Sequence, residues 1–263
     1  MAIDYVLATG CQPQKQLGVE RLVELHRTRV LARSMLLHMQ EDGVSKSPKD
    51  IAVQLTMRAP GGDSARGVTL QDLLDEAKPL DDVAHFCLEE CPAQLRHEFG
   101  CHRRIRYPIP DHVEQWLMAR LPTSLACTAG ALLVRGLSEF RWDGSPVAKL
   151  RAAGDTFFES RVAYGVRWDS ESGPFEISSD QIFQMMFMVG PLAPTHSMML
   201  ALFLGVIPHD IELAALKDTD GRTRALAKSY IAPEADPDIE QIAAFLRTLA
   251  TAAQLEVPIL IDG

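Results

Sequence analysis

Apolar and polar positions along this chain alternate with two different periods, and the two are interleaved from end to end. A two-residue period marks strands, and a period near 3.6 marks helices. A short β-prone run, Ile3 to Ala8, ends at Thr9-Gly10, and Cys11-Gln12-Pro13 reads as a turn. Ile51 to Arg58 alternates well enough for a second strand. Ile105, Tyr107 and Ile109 share one face of a third, with Arg104 and Arg106 on the other. Val257 to Ile261 closes the chain as a fourth, and Val162 to Trp168 carries a further strand-like run.

Between these runs the pattern is helical. Leu17 to Gln40 predicts a long helix, with Leu22, Leu25, Leu36 and Met39 among its apolar positions. Thr69 with Asp72 forms a capping box that opens a short helix through Ala77. Asp81 and Asp82 suit the positive end of the next helix, which Pro92 stops near Cys91. Further helices are expected over 111–121, 124–137, 147–153, 181–189, 198–206 and 238–254, with Asp143 to Pro146 as a turn. Pro60 to Gly67 and Asp218 to Gly221 read as turns. The fold class that follows is mixed α/β (α+β), predominantly helical, with a small sheet of about four or five strands. No glycine fingerprint follows any strand, so a dinucleotide-binding fold is not indicated.

Length and composition narrow this picture. A chain of 263 residues, 47% hydrophobic and 23% charged, makes an ordinary globular core, read here as one domain over 1–263 with a cysteine-rich sub-lobe near 80–110. A formal charge of −9 argues against general affinity for nucleic acid or anionic membrane. Asp4 interrupts the first apolar residues, so no secretory leader is legible, and a reducing cytoplasm is the expected compartment for the five cysteines.

Candidate chemistry is concentrated in one stretch. Three of five cysteines and three of eight histidines fall between His85 and His102. Thiolate and imidazole are ligands of zinc and iron–sulfur centres. Cys87 and Cys91, four residues apart, would share one face of a helix. The turn at Phe99-Gly100 would return Cys101, and His102, His97, His85 or the distant Cys11 would complete the set. The spacing matches neither paired zinc knuckles nor the ferredoxin run. The expected metal set is therefore Cys87, Cys91, Cys101, His102 and Cys11, with zinc first and an iron–sulfur cluster as the alternative. A redox pair such as Cys91 with Cys101, or simple buried thiols, competes with that reading.

Beside the cysteines lie Arg96, Arg103, Arg104 and Arg106, a group suited to an anion such as phosphate or carboxylate, or to balancing thiolate charge. Two function classes follow. One is a metal-binding protein with a binding or regulatory role, engaging another protein or a small anionic ligand. The other is an enzyme that uses the centre, or a reactive thiol, next to an anion site. Phosphate-loop, calcium-loop and metalloprotease signatures are absent from the sequence.

Overall fold

The computed structural model describes residues 2–43, 46–59, 62–95, 97–154, 156–170, 173–217, 219–227 and 231–262. Chain contacts gather into two compact units: Met1–Thr9 with Cys101–Gly263, and Gly10–Gly100. The expected class holds. Helices make up 54% of the chain, and the sheets are small and antiparallel. Among the described residues the strands fall into three sheets, because two of them pair with partners that their own sequence left unmarked.

The discontinuous unit is built on a three-stranded sheet in the order β4 (His102–Arg106), β1 (Ala2–Leu7), β7 (Ile259–Asp262). β1 lies in the centre, and Ile3 to Leu7 are all buried, as a strand covered on both faces requires. Its register places Asp4 opposite Arg104, Tyr5 opposite Arg103 and Val6 opposite His102. Helix α12 (Pro237–Leu255) supplies Ile242, Phe245, Leu246 and Leu249 to the core. Tyr5 meets Phe245 edge-on at 5.0 Å, and Phe245 meets Phe187 at 5.1 Å. Asp236 starts α12 by accepting the N–H groups of Asp238 and Ile239 at 2.9 and 3.1 Å.

Helices α5 (Asp111–Met118), α6 (Thr128–Phe140), α7 (Ser145–Ala152), α8 (Ser179–Phe187) and α9 (Pro194–Phe203) complete most of that unit. A hairpin of β5 (Gly165–Ser170) and β6 (Gly173–Ser178) leads into α8. Ser178 caps that helix with Gln181 closing a capping box, so it starts two residues before the 181 expected. Helix α6 starts later than the pattern implied, with Cys127 as its cap. The Cys127 sulfur accepts the Gly130 N–H at 3.4 Å, so this thiol is half-buried at a helix end and not in the core. Asp220 and Gly221 lie inside helix α11 (Thr219–Ala227), which follows α10 (Leu213–Lys217), where the sequence suggested a turn.

The Gly10–Gly100 unit contains α1 (Gln12–Leu17), α2 (Val19–Glu41), α3 (Leu70–Glu76), α4 (Pro79–Glu89) and the hairpin of β2 (Ala52–Ala59) and β3 (Gly62–Thr69). Gly18, with φ +77°, separates α1 from α2, so the long helix begins two residues after Leu17 and a short one precedes it. Gly62 to Gly67 form a strand where a turn was expected, because backbone pairing with β2 overrides their low β-propensity. Pro60 and Gly61 lie outside the described residues. The capping box at Thr69 is present: its amide bonds Asp72 at 2.8 Å and its hydroxyl accepts the Asp72 N–H at 3.1 Å.

Two apolar clusters hold this unit. Leu22, Leu25, Leu80, Val83, Ala84, Cys87 and Phe99 form one. Ala32, Val53, Leu70 and Leu73 form the other. Among the described residues no helix is long and apolar enough to cross a membrane.

Candidate functional site

Cys87 sits in the last turn of α4 and is buried in the first of these clusters. Leu17 of α1 packs against the same cluster, which brings the start of α1, with Cys11 as its cap, toward α4. Cys91 lies two residues beyond the helix end at Glu89, so it does not extend the helical face that carries Cys87. Its carbonyl accepts the Gln94 N–H at 2.9 Å in a turn that follows at once. Cys11 and Cys91 are half-buried, and both are within electrostatic reach of Cys87.

The segment after that turn is held by Phe99. Its ring is fully buried, and its backbone has φ +51°, a left-handed conformation that costs a bulky residue about 1–2 kcal/mol. Arg29 of α2 fixes the same segment from the other side. Its guanidinium lies 5.5 Å from the Phe99 ring centre, bonds Asp81 at 3.2 Å and pairs with Glu98. The His97 ring covers Gly100 so closely that a Cβ there would stand 2.2 Å from its Cε1.

Burial pushes the Cys87 thiol up, the Phe99 N–H offsets part of that, and Cys11, Cys91 and Glu98 add to the rise. A raised native value favours the neutral thiol. Its contribution to stability is complete below the ordinary thiol range, about 8.5, and is lost as the pH rises through the higher native value. Alkylation by iodoacetamide, followed residue by residue by mass spectrometry, is therefore expected to reach Cys87 last. Half-buried Cys11 and Cys91 react first, and Cys87 follows only in alkaline buffer. Labelling of Cys87 ahead of both at neutral pH would contradict this.

The other residues expected from the sequence are placed differently. Cys101 and His102 belong to the discontinuous unit, where Cys101 is buried before β4 and His102 Nε2 stands 3.0 Å from Asp4 Oδ1. Arg104 grips the same carboxylate through Nε at 3.1 Å and a terminal nitrogen at 3.3 Å. Arg106 is bonded to Gln241 through its amide at 2.8 Å. Arg103 is half-buried on the opposite face of β4, and Arg96 lies outside the described residues. Arg104 and Arg106 are thus already engaged by protein groups. Of the further histidines, His85 lies tilted against the ring of Phe86, with centroids 3.9 Å apart.

No protein-family profile, curated protein or solved structure matches the chain. Its chemistry rests on its own residues. Among the described residues no three His, Cys, Asp or Glu side chains are gathered closely enough to hold a metal ion as they stand.

One polar constellation escaped the sequence altogether. Arg151 of α7 is buried and binds Glu114 of α5 through both terminal nitrogens, at 2.9 and 2.7 Å. Its Nε bonds Asp180 at 3.0 Å, and the Ser160 carbonyl accepts at 2.7 Å. The Ser179 hydroxyl donates to Glu114 at 2.6 Å, and the Phe158 ring lies 4.1 Å from the guanidinium. These bonds use up the polar atoms that face each other, so the group joins α5, α7 and α8. A signal was present: Glu114 lies on the stripe of α5 that carries Val113, Leu117 and Met118.

Proposed function

We propose that this is a metal-responsive binding or regulatory protein whose ion is held by thiols of the Gly10–Gly100 unit. The observation that carries the reading is the position of Cys87, buried among apolar side chains in the unit that also contains Cys11 and Cys91. Zinc is the ion that the sequence favours. An iron–sulfur cluster takes four cysteines, and this unit contains three, which weighs against a cluster held here. Binding has to draw the thiols together, which couples the ion to the local fold of Cys91 to Phe99. Leu88, beside Cys87 on α4, is exposed and offers apolar surface to a partner protein, whose contact would then depend on the ion.

The enzyme alternative has less support, because the Arg104 guanidinium is bonded to Asp4 and Arg106 Nε to Gln241. The reading is tested by elemental analysis. Reduced full-length protein, incubated with excess Zn(II) or Cu(I) and desalted, is expected to retain about one ion per chain, whereas Cys87→Ser retains none. A parent protein that retains neither ion sinks the proposal.

A further inference from the structure

Helix α2 carries two stripes of the same spacing on opposite faces. Leu22, Leu25, Arg29, Ala32, Leu36 and Met39 recur at alternating steps of three and four, and they form the covered face. Leu22 and Leu25 belong to one core cluster, Ala32 belongs to the other, and Leu36 and Met39 pack against the second. Arg27, Val30, Ser34, Leu37 and Glu41 recur at the same steps. At about 3.6 residues per turn they run down the opposite side.

That second stripe is open where it is apolar. Val30 is 43% exposed, Leu37 is 61% exposed, and Leu31, at its edge, is 41% exposed. Val23, two turns before Val30 on the same face, is buried. The uncovered length therefore runs from Arg27 to Glu41, about four turns. A surface helix ordinarily carries one apolar stripe, and a second stripe on the far side marks a second neighbour.

We propose that this face pairs α2 with the α2 of a second copy of the chain, antiparallel, about a two-fold axis at Ser34. Charge order selects that occupant. Arg27 lies at one end of the stripe, and Glu41 lies at the other with Asp42 just beyond it. In the antiparallel pair, Arg27 of one protomer approaches Glu41 of its partner, and Leu31 approaches Leu37. A parallel pair would set Arg27 against Arg27 and Glu41 against Glu41. A face that complements itself when turned end for end is what a two-fold interface needs. Ser34, small and exposed, falls on the axis, where close approach of the two backbones requires a short side chain. Cys87 packs with Leu22 and Leu25 on the other face, so the pairing is independent of any ion.

The test is sedimentation equilibrium of reduced, chelator-treated full-length protein. One helix from each side makes a small interface, so a reversible monomer–dimer equilibrium with a Kd of about 10–100 µM is the expected result. Leu37→Glu should stay monomeric at every concentration up to about 300 µM. Because Leu37 is exposed, its far-UV circular dichroism should match the parent. Arg27→Glu and Glu41→Arg should each weaken the dimer at least about 5-fold, and the double swap Arg27→Glu/Glu41→Arg should return within about 2-fold of the parent. A parent that remains monomeric overturns the inference and assigns the face to a different protein. A dimer that survives Leu37→Glu, or one that the double swap fails to restore, overturns it as well.

Discussion

Replacing Arg151 by methionine should cost this protein about 3–5 kcal/mol, a large share of the 5–15 kcal/mol by which folded chains are ordinarily stable. The reason is what the substitution leaves behind. Glu114 is fully buried and Asp180 nearly so, and both carboxylates rely on the guanidinium. Without it, two charges remain in a region of low polarity with only the Ser179 hydroxyl on Glu114. Lysine should not rescue the site, because a point charge cannot reproduce the paired bonds to Glu114 together with those to Asp180 and Ser160. Removing all three charges together, as Arg151→Met with Glu114→Leu and Asp180→Leu, should recover much of the loss. Urea unfolding of the parent and the three variants decides it. An Arg151→Met variant within about 1 kcal/mol of the parent would show that the buried network contributes little.

The second large effect is expected at Gly130. Helix propensity alone favours alanine over glycine inside α6 by about 1 kcal/mol. Packing opposes it. A Cβ at Gly130 would stand 2.5 Å from both the Leu125 Cα and the Ser124 carbonyl oxygen, and both are backbone atoms. Carbon atoms pack at about 3.5–4.0 Å, so the 124–125 turn or the first turn of α6 has to shift by roughly an ångström. Overpacking of this kind costs about 1–3 kcal/mol net of repacking, and backbone contacts place Gly130→Ala near the upper end. A fall in Tm of several degrees is the expected reading by differential scanning calorimetry. An unchanged or higher Tm would mean that the turn yields freely.

These two sites show where the sequence is silent. Local signals were legible: the capping box at Thr69, the helix over 237–255 and the β1 run could all be read, because each depends on residues close together in the chain. Strand β3 could not. Gly62, Gly67 and their neighbours have little preference for extended structure, and pairing with β2 decides the matter. Arg151 meets Glu114 across 37 positions and Asp180 across 29, and no local pattern reports such a meeting.

The candidate site divides in the same way. That Cys87 and Cys91 matter together was visible in their spacing. That Cys91 leaves the helix before it can share a face with Cys87 followed from Pro92, whose effect reaches back as far as Glu90. The approach of Cys11 depends on α1, a six-residue helix beginning with Gln12-Pro13, where the sequence suggested only a turn. Arg104 looked available because Asp4, its partner, lies 100 residues away.

The central claim is that thiols of the Gly10–Gly100 unit hold the ion, and the ligand shell of a bound ion tests it most directly. X-ray absorption at the metal edge of the loaded, reduced full-length protein should show sulfur alone in the first shell. The same measurement on Cys87→Ser should show no ordered sulfur shell. A first shell containing imidazole nitrogen or carboxylate oxygen in the parent would contradict the account and return the site to a mixed cysteine–histidine set.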